Sequence, residues 1–438
     1  MIQCPRCRSS SIVPYQLKRL EGTKMAAKGD MLYAWAKDAE IQKKGECGGA
    51  VTALLKHALE TKMVDAVVAI KKGKDLYDAV PTVITNPEDI IQTAGSLHCG
   101  TLLIPKLIKK YLNGAKDMKL AVTCKGCDAM AFYELAKRNQ INLDNIIMIG
   151  VNCGGSVSPV TARKMISNKF GVDPDTVHKE EIDKGQFIIE YEGGHKGIKI
   201  DELEEEGYGR RSNCRRCKMK IPRQADIAAG NWGVIGDKAG KATFLEICSE
   251  KGANLVNSAQ SKGALEISPA DPKGIDIRAK VEKAMFNLGD EWRHRDFEGM
   301  GKGKDRLKLM MSESSKCIKC YACVEACPIC YCIECSTKKP WYIAPGVLPT
   351  SFMFHLIRFA HVSDSCINCG QCEELCPMEI PNALFMHSQQ VEIEKMFGHI
   401  PGQDMTPPIH AFVEEKAERA RLDATGTDSI YTNIFTDE

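Results

Sequence analysis

The sequence predicts two unlike parts: an α/β (α+β) body built on a mixed sheet, and a cysteine-dense module following it. Two observations carry this. Between residues 50 and 153, short apolar runs alternate with amphipathic helical stretches, the pattern of strands that feed crossover helices. Eleven of the 21 cysteines fall between Cys317 and Cys376, which divides the 438-residue chain by composition. A chain of this length supports more than one hydrophobic core.

Ala50 to Thr61 predicts a helix, because Val51, Leu54, Leu55, Ala58 and Leu59 recur at i, i+3, i+4, i+7 and i+8. DAVVAI (65–70) reads as a buried strand, LIPKLIKKYL (103–112) as a helix and KLAVTC (119–124) as a strand. AMAFYELAKR (129–138) follows as a helix and NIIMIGVNC (145–153) as another strand, so the sheet is expected to be largely parallel. QFIIEYEGGHKGIKI (186–200) predicts two strands around a Gly-Gly turn, an addition that would make that sheet mixed. The charged, Gly-rich stretch 291–312 reads as a linker between a body at 31–290 and a cysteine module at 313–385. Residues 1–30 form an extension, and 386–438 a polar tail with a helical run near 410–422.

Lys and Arg total 59 against 57 Asp and Glu, a net charge of +2, so no global field draws nucleic acid or an anionic membrane. The least polar long stretch, Trp341 to Val362, carries His355, Arg358, His361 and prolines at 345 and 349, and does not read as a spanning helix. The opening MIQCPRCRSS lacks the basic-then-apolar pattern of a signal peptide. An odd cysteine count arranged largely in C-x-x-C pairs points to metal ligation in a reducing compartment, with a cytoplasmic location expected.

The strongest signal is duplicated. Cys317-x2-Cys320-x2-Cys323-x3-Cys327-Pro328 recurs as Cys366-x2-Cys369-x2-Cys372-x3-Cys376-Pro377, the bacterial ferredoxin spacing for two [4Fe–4S] clusters. In that pattern the fourth cysteine of each run serves the other cluster. One cluster is then expected on Cys317, Cys320, Cys323 and Cys376, and the other on Cys366, Cys369, Cys372 and Cys327. Zinc knuckles, the alternative, would use pairs of C-x-x-C rather than triplets ending in Cys-Pro. Cys330, Cys332 and Cys335 are surplus to both sets and read as packing thiols or thiols at a subunit face.

In the body, two predicted strands end in cysteine, at Cys124-x-x-Cys127 and at Cys153, and Cys214-x-x-Cys217 follows in a basic loop. Ligands of open α/β sheets gather beyond the carboxyl ends of strands, so these five are candidates for a third four-ligand site, iron–sulfur or zinc. Cys4 and Cys7 are half of a zinc ribbon and receive no metal. Two Gly-containing loops, Cys47-Gly48-Gly49 and Ala94-Gly95-Ser96-Leu97-His98, precede predicted helices and could present backbone N–H groups to phosphate. Neither is the G-x-G-x-x-G fingerprint. No Ser/His/Asp or paired-carboxylate constellation supports hydrolysis.

ECGGAVTALLKHALETKMVDAVVAI (46–70), AGS (94–96), GCDAMAFYELAKR (126–138), VNCGGS (151–156) and SNCRRCKMKIPRQADIAAGNWG (212–233) resemble the beta-subunit family of coenzyme F420-reducing hydrogenase and its relatives. The resemblance spans roughly residues 30–290, and the last stretch is the most specific. It implies a flavin-binding body that holds FAD, one [4Fe–4S] cluster and coenzyme F420 as substrate, for three clusters in the whole chain. Carried over by motif, it implies Cys127, Cys153, Cys214 and Cys217 as ligands, with Cys124 the alternate to Cys127. It further implies cofactor contacts from Gly48, Gly49, Thr52, Ser96, His98 and Lys125, and hydride transfer by FAD with no catalytic side chain.

Ferredoxin motifs on the C-terminal side, with CPICYC after the first, are similar to the formate-oxidising branch of the family. That implies an alpha-subunit partner with a molybdenum or tungsten pterin, whose electrons pass through the clusters to FAD and leave as hydride to coenzyme F420. Two other readings are an adaptor delivering electrons to a heterodisulfide reductase complex, and the beta subunit of an F420-reducing hydrogenase or F420H2 dehydrogenase. Residues 1–30 lie outside the resemblance.

Overall fold

The computed structural model describes residues 25–407 apart from Leu102 and Ile333. Cys4, Cys7 and the helical run expected at 410–422 lie outside the described residues. Among the described residues eleven strands form two sheets: β1 (Met31–Ala36), β2 (Ala66–Lys72), β3 (Ala79–Ile84), β4 (Leu120–Cys124), β5 (Ile146–Val151), β6 (Val177–Asp183), β7 (Gln186–Tyr191), β8 (Gly194–Lys199), β9 (Ile227–Gly230), β10 (Thr243–Ile247) and β11 (Leu265–Pro269).

The main sheet has eight strands in the order β11-β1-β10-β9-β5-β4-β2-β3. Its centre is parallel, with β2, β4, β5 and β9 paired in series, as crossover helices require. β3 is antiparallel at one edge, and β10, β1 and β11 are antiparallel at the other. The hairpin expected at 186–200 forms as β7 and β8 but belongs to a separate three-stranded sheet with β6. β8 is almost wholly exposed, while Phe187 and Ile189 of β7 pack on Val157, Ala162, Met165 and Phe170. A ribbon with one apolar face needs one cover, so it lies outside a sheet covered on both sides. The mixed character comes instead from β1, β3, β10 and β11.

Period-two alternation divides the strand side chains between two cores. Val67, Ala69 and Ala121 face the helices Ala50–Glu60 and Glu250–Ser261, joined by Leu54, Leu55, Leu255 and Val256. Ala66, Val68, Leu120, Val122 and Cys124 face Ile104–Tyr111 and Gly126–Ala136, against Ile104, Ile108, Phe132 and Leu135. The result is three layers with the carboxyl ends of β4 and β5 opening on one edge.

The stretch read as a linker is helical. Pro272–Gly299 is one helix, capped by Asp271 with Pro272 in its first turn, and Lys304–Ser314 is another. Its polar surface concealed its role, which is to brace the Cys214–Cys217 segment. Arg216 Nη1 bonds Asp296 Oδ2 at 2.5 Å, the Arg215 guanidinium stacks 4.4 Å from the Trp292 ring, and Lys218 pairs with Asp290 at 2.6 Å. A side chain at Gly289 would meet the Cys217 carbonyl at 2.8 Å. Part of the expected polar tail is also packed: the helix Asn382–Phe397 buries Phe385, Met386 and Val391. Among the described residues no helix is long and apolar enough to cross a membrane.

Candidate metal centres

The two C-terminal motifs repeat in conformation as well as in sequence. Lys319 and Tyr321 of the first have positive φ, at 53° and 60°, and Asn368 and Gly370 of the second match them at 52° and 75°. Each left-handed pair turns the chain into a four-residue helix, Ala322–Glu325 and Gln371–Glu374. The folded-back loops leave two cavities. Cys317, Cys320, Cys323 and Cys376 line one, while Cys327, Cys366, Cys369 and Cys372 line the other. Each cavity thus draws three cysteines from one motif and the fourth from its partner. Every described cysteine is a free thiol.

Burial first, and then neighbouring thiols, push Cys366 up to about 12 and Cys372 well above its ordinary value. Such sulfurs ionise only beside added positive charge, which iron would supply. Among the described residues no three His, Cys, Asp or Glu side chains converge tightly enough to hold a single metal ion. Of the surplus thiols, Cys330 and Cys335 pack locally, while Cys332 is exposed. Cys330 hydrogen-bonds Cys327 and holds that thiol below its usual range, and Cys335 Sγ lies 2.9 Å from Thr337 Oγ1. Helix Ile104–Tyr111 fixes this corner to the body through Lys106 Nζ to the Cys327 carbonyl at 3.0 Å and Lys109 Nζ to the Cys330 carbonyl at 2.7 Å.

In the body, the structure brings Cys127, Cys153, Cys214 and Cys217 into one group and leaves Cys124 out. Cys127 sits in the first turn of helix Gly126–Ala136, where Asp128 and Lys125 close a capping box. The Cys153 N–H bonds the Lys220 carbonyl at 2.9 Å, and Cys217 Sγ lies 3.6 Å from the Met219 carbonyl. Burial pushes Cys127 up, and Asp128, Cys153 and Cys217 push it further; burial, Cys214 and Cys217 take Cys153 to about 11. Burial also opposes ionisation of Cys214, but Arg211, Ser156 and Lys220 outweigh it and hold this thiol below its ordinary value. Four crowded thiols ringed by cations suit a metal centre.

Cys124 points elsewhere because it shares strand parity with Leu120 and Val122. It is 2% exposed in the core beneath Phe132, apart from the other four candidate cysteines of the body. Gly155 permits the close approach of the third pair. Its φ is 122°, and a Cβ there would stand 2.7 Å from Arg210 Cδ and 3.2 Å from Cys214 Cβ. Gly155→Val is therefore expected to displace Cys214 and cost about four irons per chain, one cubane's worth. Anaerobic iron and acid-labile sulfide analysis checks this, and an unchanged iron content would reject the site.

The loops expected to hold phosphate meet each other. Ser96 Oγ bonds Glu46 Oε2 at 2.8 Å, which ties the 94–98 loop to the turn at Glu46–Gly49. Cys47, Gly48 and Gly49 all have positive φ, and the helix Ala50–Glu60 that follows has no side-chain cap on its first N–H groups. Uncapped N–H groups suit an anion. The glycines themselves face protein: a Cβ at Gly49 would meet the Ile41 carbonyl at 2.6 Å, and one at Gly48 would strike Lys241. The surroundings are acidic, since burial, then Glu46, Glu181 and Asp183, push the Cys47 thiol to about 11. Thr52 is buried in the helix. The His98 N–H bonds Glu180 at 3.1 Å, and its Nε2 is buried without a hydrogen-bond partner. Lys125 belongs to the cysteine group, pairing with Asp128 at 2.8 Å beside Cys127.

Sequence reasoning missed the contacts that join the two cysteine regions. Cys127 and Cys369 share one apolar cluster with Ala131, Met130 and Ile367. Asn213 and Asn368 exchange side-chain amide bonds to each other's carbonyls at 3.1 and 2.9 Å. Arg211 donates to the Cys369 carbonyl at 3.2 Å and pairs with Glu374 at 3.0 Å. The basic run around Cys214 was the signal available.

An α/β body with four grouped cysteines, fused to a duplicated cysteine module, defines an iron–sulfur electron-transfer protein. Residues 31–109 and 117–273 match the N-terminal and C-terminal models of the coenzyme F420 hydrogenase/dehydrogenase beta subunit, and residues 316–381 match a 4Fe-4S dicluster domain. The chain is 50% identical over 377 residues to the F420-dependent formate dehydrogenase subunit beta of Methanocaldococcus jannaschii, covering 85% of this chain and 97% of that one. It is likewise 50% identical over 380 residues to the F420-dependent formate dehydrogenase 1 subunit beta of Methanococcus maripaludis, covering 86% of this chain and 97% of the relative. The F420-reducing [NiFe] hydrogenase complex of Methanosarcina barkeri contains a chain of the same fold, at TM-score 0.54 and 23% identity, matched over 65% of this chain and 98% of that one. The chain belongs to the coenzyme F420 hydrogenase/dehydrogenase beta-subunit family, in the group of F420-dependent formate dehydrogenase beta subunits.

Proposed function

We propose that this chain carries electrons released by formate oxidation on a molybdenum- or tungsten-pterin alpha subunit to coenzyme F420. Bound iron–sulfur clusters would supply single-electron transfer, and bound FAD its conversion to hydride transfer. The chain's own residues would do the rest. Cys317, Cys320, Cys323 and Cys376 would hold the first cluster, Cys366, Cys369, Cys372 and Cys327 the second, and Cys127, Cys153, Cys214 and Cys217 the third. The uncapped N–H groups at Ala50 and the adjoining loop of Ser96 and His98 would seat the flavin phosphates.

The observation that supports this reading is that Cys127 and Cys369 belong to one apolar cluster, so the body cysteines adjoin the second cavity. The relatives' names supply the substrates, and nothing in this sequence resembles a pterin enzyme, so formate chemistry is placed on the partner.

The full-length chain, loaded with FAD and given a low-potential artificial donor, is expected to reduce coenzyme F420 with no alpha subunit present and to show no formate oxidation. If the loaded chain exchanges hydride with the deazaflavin in neither direction, the enzyme reading fails and an electron adaptor to another complex replaces it.

A further inference from the structure

The helix Met353–Val362 lies between the two cysteine motifs, and on it Arg358 is 5% exposed. Arg358 lines the second cavity together with Cys327, Cys366, Cys369 and Cys372, and its guanidinium also hydrogen-bonds Cys323 of the first set. Its Nη2 is buried with no hydrogen-bond partner. The titratable groups acting on it most strongly are the thiols of Cys323, Cys330, Cys327 and Cys372, with no carboxylate among them. Other buried arginines here are neutralised. Arg210 pairs with Glu204 at 2.5 Å, Arg216 with Asp296 at 2.5 Å, Arg278 with Glu246 at 2.5 Å and Arg211 with Glu374 at 3.0 Å.

A buried charge left without an opposite charge is strongly destabilising, so a fold retains one where an anion completes it. Thiolate-ligated clusters are such anions, and they would lie on two sides of this guanidinium. We infer that Arg358 is the shared counter-charge of both clusters in the dicluster module, raising the reduction potential of each and damping the repulsion between electrons on the two. This rests on the cluster assignment proposed above. The physical basis is general: an electron added to an anionic cluster is stabilised by a fixed cation in a low-dielectric interior, and net charge and hydrogen bonds to sulfur set cluster potentials. Arg358 acts through the clusters and is a positioning residue, not a catalytic one.

The test uses the full-length protein, prepared anaerobically as wild type, Arg358→Met and Arg358→Lys. Iron, acid-labile sulfide and EPR-monitored redox titration are measured on each. With iron retained, Arg358→Met is expected to move both dicluster midpoints to more negative potential, and Arg358→Lys to stay close to wild type. Wild-type midpoints in the fully loaded Met variant would overturn the proposal. So would a shift in the Lys variant as large as that in the Met variant, since packing rather than charge would then be responsible. If Arg358→Met fails to hold iron while Arg358→Lys holds the full complement, the requirement for charge is upheld. Loss of iron in both variants would make the role structural and end the proposal. Failure of the cluster assignment itself is distinct, because the wild-type protein would then lack two dicluster EPR signals.

Discussion

Cys327→Ser is expected to remove the cluster associated with Cys366, Cys369 and Cys372 while sparing the one associated with its own motif partners Cys317, Cys320 and Cys323. The cavity lined by Cys327 is the one lined by the second motif. Iron should fall from about twelve to about eight per chain, and one EPR signal of the dicluster module should vanish. Electron entry from the C-terminal module should drop by orders of magnitude, while direct hydride exchange between FAD and the deazaflavin is spared. Cys330 hydrogen-bonds Cys327 and stands where it could substitute for it, so Cys327→Ser/Cys330→Ser closes that route. Loss of the first cluster instead of the second would show that each motif keeps its own fourth ligand.

The second large effect concerns stability. Glu134 is buried on helix Gly126–Ala136 and holds Lys137 Nζ at 2.6 Å and Arg138 Nη1 at 2.9 Å, with side-chain exposures of 0%, 1% and 7% for the three. It also accepts the Gly402 N–H at 2.6 Å, and Arg138 continues to Ser365 Oγ at 2.5 Å. One carboxylate thus ties the body to the second cysteine motif and to the chain beyond it. Glu134→Ala would strand two buried cations and is expected to cost about 3–5 kcal/mol. The measurement is the denaturant midpoint of the anaerobic holoprotein, with Lys137→Met/Arg138→Met/Glu134→Leu as the compensated control. A midpoint unchanged in Glu134→Ala would mean that water reaches these cations.

The repeat of cysteines could be read directly because cluster ligation imposes its spacing on the local sequence, and the two cavities follow the crossed order that spacing implies. The helices and strands between residues 50 and 153 were equally legible, since their apolar periodicity is a local property. The inward turn of Cys124 was also within reach: Leu120, Val122 and Cys124 alternate on one strand face, and all three lie in the core.

Other features were settled only by tertiary packing. The hairpin β7–β8 forms as its turn demands, but nothing local says which sheet it joins. The charged stretch at 291–312 carries no apolar stripe, yet its first part remains helix because Asp296 and Trp292 find partners in the Cys214–Cys217 segment. Glu134, Lys137 and Arg138 have the spacing of an ordinary exposed helix pair, and Arg358 that of any surface arginine; burial turns the first into a buried tie and the second into an uncompensated charge between two cysteine cavities. Spacing along the chain thus marked the three cysteines that share one short loop in each motif. The fold alone decided which charges surround them, because a charge acts through space over several ångströms and takes its value from whatever the chain brings alongside.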